Sequence, residues 1–237
     1  MAENIEPKDA PDVQPLPADQ AKLDAAKWKL FAIVSILALV ADQATKIWAR
    51  SALETRRMAA PIDAACSIPD DIISGVCQGV SEPVISSFWH WKLSMNLGSA
   101  FGLFSSQGSL GRIFLSIVGV VAVGGMFWML RKARPDQKVL HWALALVCGG
   151  AIGNLIDRIY YGAVTDFILW HVGDYNPRVD RWKHEWPVFN IADIVLVVGV
   201  GLMFIDIQKE GKRDKARKQA RQERAKKQGL VKDLRAD

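Results

Sequence analysis

Four apolar runs separated by charged segments organise the chain: residues 28–48, 112–130, 139–157 and 189–207. Each approaches the roughly 20 residues that a helix needs to cross a bilayer core. A soluble domain can bury one such helix, but four in 237 residues leave too little polar sequence to surround them. The pattern predicts an α-helical integral membrane protein with four transmembrane helices, the membrane domain occupying 28–207. Residues 1–27 are rich in Pro, Ala, Asp and Glu without an apolar stripe, the composition of a disordered leader. Residues 208–237 form a basic tail, of which 208–228 is predicted to be helical, polar all round and solvated. Weak attraction to anionic lipid headgroups is its functional alternative.

The segment between the first two runs, 49–111, is too long for a bare linker. Its second half, 84–104, mixes β-branched and aromatic residues with Gly and predicts short strands near the membrane surface. The helices are thus accompanied by a small β-containing extracytoplasmic subdomain in the loop between helices 1 and 2. Residues 61–83 read as a surface insertion. The loop 159–188 falls on the same side of the membrane.

Charge gives these pieces an orientation. Lys22, Lys27 and Lys29 precede the first run, and Arg131, Lys132, Arg134 and Lys138 fill the link between the second and third. Ten more basic residues lie between Lys209 and Lys227. With four spans all three segments share one side, and the excess of Lys and Arg makes it cytoplasmic, with both termini. The net charge of +5 therefore reports topology and calls for no nucleic-acid partner. Of the nine Trp, residues 48, 89, 91, 170, 182 and 186 suit an outer interfacial belt, and 28, 128 and 142 an inner one. The first run lacks a small-residue cleavage site and reads as a retained anchor. Cys66 and Cys77 lie on the outer side, where a disulfide is chemically permitted, and Cys148 reads as a packing residue.

Polar residues inside or at the outer ends of the runs carry the functional signal, because ionisable groups there are costly and normally face a protein interior or a wet cavity. Asp42 and Lys46 are four apart, the spacing of an intrahelical ion pair. Asn96 and Gly98 belong to a small-residue turn. Asn154 and Arg158 share a helical face, and Gly149 and Gly153 suit close helix packing. Asp157 beside Arg158 reads as an interfacial anchor. Asp166 and Asp193 approach the outer interface from opposite sides of one loop. Asp166 or Asn190 could cap a helix, whereas Asp193 lies inside the apolar run, where capping explains it poorly. Two carboxylates in a partly desolvated place share one proton and supply a general base and a general acid, as in aspartic proteases. No His-Glu-x-x-His occurs, and His90, His141, His171 and His184 show no paired metal-ligand spacing. A small transporter or channel using the aspartates as an ion site is the competing class, but no repeat symmetry between halves accompanies it. A purely structural membrane protein would leave Asp193 unexplained.

The ordered set Asp42-Gln43-x-x-Lys46, Asn96-x-Gly98-x-Ala100-Phe101, Gly153-Asn154-x-x-Asp157-Arg158, Gly162-x-Val164-x-Asp166-Phe167-Ile168 and Phe189-Asn190-x-Ala192-Asp193 resembles lipoprotein signal peptidase, also called signal peptidase II. The resemblance covers about residues 28–207, span count and orientation included. It implies that Asp166 and Asp193 are the catalytic dyad. It also implies that Asn96, Gly98, Asn154, Arg158, Asn190 and Ala192 line or shape the cleft, with Asp42 and Lys46 supporting it. The implied substrate is a diacylglyceryl-modified prolipoprotein, cleaved just before the lipidated Cys. The implied setting is the bacterial cytoplasmic membrane, with the site near its outer face, contact with membrane lipids and a monomeric protein. No metal or organic cofactor is implied. Ser99 stands where the family usually has a small apolar residue, and the 61–83 insertion and the basic tail are longer than the family pattern.

Overall fold

The computed structural model describes residues 18–58, 61, 63–98, 108–176 and 181–233. Ser99, Ala100 and Phe101 of the small-residue turn lie outside them, as do residues 1–17 of the leader. The elements run α1 (Ala18–Ala52), β1 (Thr55–Arg57), α2 (Asp70–Ile73), β2 (Cys77–Gly79), β3 (Glu82–Ile85), β4 (Trp89–Asn96), α3 (Gly108–Lys132), α4 (Lys138–Tyr160), β5 (Val164–Asn176), β6 (Arg181–Glu185) and α5 (Ile191–Asp233). Among the described residues four helices are long and apolar enough to cross a membrane: α1, α3, α4 and α5.

Helix α4 is the hub and packs against each of the other three long helices. Its buried run includes Ala143, Leu144, Ala145, Cys148, Gly149, Gly150 and Gly153. The small residues let backbones approach: a Cβ on Gly149 would lie 2.7 Å from the Ser35 carbonyl oxygen of α1, and one on Gly153 would run into the Asp42 carboxylate. Phe31, Val34, Leu130 and Leu144 close the core toward one end. The outward faces of α3 and α5 expose Ile113, Phe114, Ile117, Val121, Val197, Val200 and Phe204, more apolar surface than a protein in water presents.

A four-stranded antiparallel sheet, ordered β3-β4-β5-β6, sits on the other end of the bundle. Ala49 from α1 and Leu53, just past its end, meet Leu93, Phe167 and Ile168 there. Burying side chains of this size contributes about 1.5–3 kcal/mol each, so sheet and helices form one body. The strands expected between helices 1 and 2 are present, but half of the sheet comes from β5 and β6, beyond α4. Residues 164–169 are all buried. With both faces covered they lack the alternation that marks a half-exposed strand. The Trp182 ring stacks on His171 at 3.6 Å, so it packs within the sheet and does not join the outer belt.

One other expectation changes, and two readings gain their geometry. Helix α1 begins at Ala18, so residues 18–27 are helical and not irregular; Lys27 is buried, pairing with Asp24 at 3.0 Å and donating to the Ala133 carbonyl at 3.0 Å. Cys66 and Cys77 form a disulfide across the insertion, which packs on the sheet through Ile68 and Ile72. Helix α5 runs unbroken from the apolar run into the basic tail.

Candidate active site

At the junction of bundle and sheet, five elements deliver polar side chains to one place. Asp166 enters from β5, opposite Ser94 of β4. The turn that leads α4 into β5 needs Gly162 at φ +78°, with the Arg112 guanidinium packed against it. Asp166 is 2% exposed. Its carboxylate accepts from the Asn96 amide at 3.1 Å and from the Asn190 amide at 2.6 Å.

Asp193 reaches the same place from the first turn of α5. Its Oδ2 accepts the Asn190 backbone N–H at 3.2 Å, and its own N–H donates to Asn190 Oδ1 at 3.0 Å. This reciprocal pair is a capping box with Asn190 as the cap, so capping accounts for more of Asp193 than its place in the apolar run suggests. The helix starts at Ile191 and not at Phe189, because Phe189 still bridges to Ile168 of β5. Capping engages only one carboxylate oxygen. The other, Oδ1, accepts from the Asn154 amide at 3.0 Å.

Asn190 therefore touches both aspartates, and its Nδ2 lies 3.2 Å from Asn154 Oδ1 as well. Lys46 fixes the direction of this amide chain. Its ammonium donates to Asn154 Oδ1 at 2.8 Å, which turns the Asn154 amide nitrogen toward Asp193. Lys46 is held in turn by Asp42 at 2.9 Å, both fully buried. The second Asp42 oxygen accepts the Ala192 backbone N–H at 2.9 Å, so Ala192 contributes its amide and ties α1 to α5. Gln43 donates to Asp42 and to the Gly153 carbonyl, at 3.0 Å each.

Arg158 borders the cleft, with Nη2 3.3 Å from the Gly98 carbonyl and Nη1 3.4 Å from the Asn154 carbonyl; the Gly98 N–H donates to Asn96 Oδ1 at 2.9 Å. All ten residues singled out in the sequence thus meet in one network. Asp157 departs from expectation. It is fully buried, accepts the Thr165 N–H at 2.8 Å, and lies 3.7 Å from both Lys46 and Arg50, so it is no interfacial anchor. Two participants escaped the sequence reading, Arg50 and Thr165. Arg50 continues the four-residue spacing of Asp42 and Lys46, which was a usable signal.

Burial, reinforced by the neighbouring Asp193, pushes the Asp166 carboxyl up to about 8, against the pull of Asn96, Asn190 and Lys46. This direction favours the protonated form of Asp166. Beside the cleft, α3 and α4 leave a groove of about 510 Å³ lined by Arg112, Ile117, Val120, Leu155 and Arg158.

The family model for signal peptidase (SPase) II matches residues 34–209, most of the chain. The chain belongs to the signal peptidase II family. A lipoprotein signal peptidase of Rhodopseudomonas palustris (strain TIE-1) is 35% identical over 179 residues, covering 75% of this chain and 91% of the relative. One of Xanthomonas oryzae pv. oryzae (strain PXO99A) is 40% identical over 154 residues, 63% and 82% of the two chains. A bacterial membrane enzyme solved by the in meso method at 2.3 Å resolution superposes with a TM-score of 0.55 at 25% identity, covering 76% of this chain and 88% of the other. Family membership makes the chain a protease, and its four long apolar helices make it a multi-pass membrane one.

Proposed function

We propose that this protein is an aspartyl endopeptidase that removes the signal peptide from diacylglyceryl-modified prolipoproteins, cutting just before the lipidated Cys. Family membership supports the substrate class. The observation that carries the chemistry is a buried Asp166 carboxyl joined to Asp193 through one residue, Asn190, whose side-chain amide donates to Asp166 while its backbone N–H donates to Asp193.

Asp193 is the base that takes a proton from water as its oxygen attacks the scissile carbonyl carbon. Asp166 gives its proton to the carbonyl oxygen, and a neutral tetrahedral diol forms. Its collapse breaks the C–N bond: Asp193 delivers its proton to the departing nitrogen, and Asp166 recovers one from a diol hydroxyl. Both carboxyls end as they began, so no metal or organic cofactor is required. Asn96, Asn154 and Asn190 hold the two acids in place, and Arg158 beside Gly98 faces the substrate backbone.

The lipid explains the depth of the site. A diacylglyceryl group holds the substrate at the bilayer surface, where the outer ends of α1, α4 and α5 present the aspartates. The apolar groove between α3 and α4 suits an acyl chain. The basic link and tail support an orientation with both termini in the cytoplasm and the sheet outside, in a bacterial cytoplasmic membrane. The protein acts as a monomer.

Purified protein incubated in detergent with a diacylglyceryl-modified prolipoprotein tests the reading. Cleavage by the wild type, lost in folded Asp166→Asn and Asp193→Asn variants, supports it. An uncut lipidated substrate with folded wild type, or cleavage by either variant, overturns it.

A further inference from the structure

Asp166 belongs to a strand whose start must be fixed relative to α4, and the groups that fix it lie one residue away. Asp157, in the last turns of α4, accepts the Thr165 N–H at 2.8 Å. The Thr165 hydroxyl accepts from Arg50 Nη1 at 2.6 Å. The same Nη1 is 3.7 Å from Asp157 Oδ1, and the guanidinium carbon sits 4.2 Å over the Tyr161 ring, in the turn between α4 and β5. One side chain from α1 thus spans the end of α4, the turn and the residue that precedes Asp166.

Its surroundings give these contacts weight. The Arg50 side chain is 10% exposed, and Asp157 is fully buried with no hydrogen bond at Oδ1. Asp42, Lys46, Asp157 and Arg50 form a set with two charges of each sign. Lys46 meets Asn154 and so reaches Asp193, whereas Arg50 meets Thr165 and so reaches Asp166. Lys46 and Arg50, one turn apart on α1, thus approach the pair by different routes, one through Asn154 and the other through Thr165. A planar fork can donate to Thr165, face Asp157 and sit over Tyr161 together, whereas an ammonium is a point charge.

We infer that Arg50 is a positioning residue of the proteolytic reaction, setting the Asp166 carboxyl through Thr165 and Asp157. This inference rests on the aspartate-dyad reading. Arg50 touches neither aspartate in the structure's hydrogen-bond network, so its effect belongs in turnover and not in substrate binding. Misplacing a catalytic group by about 1 Å costs on the order of a hundredfold in rate.

The test compares wild type, Arg50→Gln, Arg50→Lys, Thr165→Val and the Arg50→Gln/Thr165→Val double variant, all full length in detergent, on a diacylglyceryl-modified prolipoprotein. Arg50→Gln should lower kcat about ten- to a hundredfold with KM unchanged. Thr165→Val should lower kcat less, Arg50→Lys should recover part of the loss, and the double variant should lose no more than Arg50→Gln alone. Unchanged kcat, a rise in KM in its place, or multiplying losses would overturn the inference. Where Arg50→Gln yields no folded protein, Thr165→Val decides alone: lowered kcat supports the role and wild-type kcat removes it. Asp166→Asn runs alongside. Activity retained there removes the dyad reading itself, whereas an inert Asp166→Asn beside a wild-type Arg50→Gln removes only the role of Arg50.

Discussion

The described residues contain two four-charge clusters, each with two charges of either sign, and they behave as opposites. Near the site, Asp42, Lys46, Asp157 and Arg50 pair at 2.9 to 3.7 Å. At the far end, Arg134, Asp136, Glu210 and Arg213 link the α3–α4 connection to α5 at 2.6 to 3.2 Å. By distance the second cluster is the tighter. By environment it is the weaker, because Arg134, Asp136 and Arg213 are each about half exposed and water screens them. Glu210 and Asp136 hold the Arg134 guanidinium above its ordinary range, and Arg134 holds the Asp136 carboxyl below its own, at groups open to solvent. The inner cluster has no water to fall back on. Each of its charges is tolerated because a specific partner is there, and removing one strands another. Burial, and not contact length, decides which cluster the fold depends on.

The sharpest contrast is catalytic. Asp166→Asn or Asp193→Asn should cut the cleavage rate by about a thousandfold or more, read by signal-peptide loss from a lipidated precursor. Asp166→Asn should also change how stability depends on pH. Below the ordinary carboxylate range the Asp166 carboxyl is protonated whether the chain is folded or not. Between that range and about 8 only the folded state keeps the proton, so wild-type stability falls as pH rises through this window. Melts in detergent from pH 4 to 8 should show the decline in wild type and a flatter profile in the Asn variant. Activity should fall as pH rises past about 8, when the acid is lost.

Next in size is Lys46→Met, which leaves buried Asp42 with no ion partner and Asp157 with Arg50 alone, and should cost about 3–5 kcal/mol by denaturation in detergent. Replacing Cys66 and Cys77 with Ser should cost less, about 2–3 kcal/mol for a closed loop this short. Proteolysis should show that loss concentrated in the insertion between β1 and β2. The smallest effect is at the outer cluster: Glu210→Gln should leave the melting midpoint unchanged, and so should added salt. A destabilisation there matching that of Lys46→Met would break the comparison.

The bundle was legible because lipid-spanning length is written directly in hydropathy. The site was legible because charged residues in apolar runs stand out against their neighbours: Asp42, Lys46 and Asp193 each break a greasy segment. Two things were hidden. Residues 164–169 are buried on both faces, so β5 carries no alternation to announce a strand or to put it beside β4. Asp157 and Arg50 sit near helix ends, where an interfacial anchor and an inward-facing ion have the same spelling. Only the fold distinguishes them, by bringing Thr165 back between the two. The role of Asp193 was half legible, because its carboxylate serves both Asn190 and Asn154, and spacing exposes one use at a time.

The amide chain has a last consequence, for chemical ageing. Lys46 cannot accept a hydrogen bond, so the Asn154 oxygen must face it and the nitrogen must face Asp193; Asn190 is oriented in the same way toward Asp166. Deamidation at either position exchanges one NH2 for one oxygen and sets a third carboxylate against the pair. A protein altered in this way would keep its size and its helices while the proposed dyad lost its proton balance, so stored preparations should lose activity without any sign of unfolding.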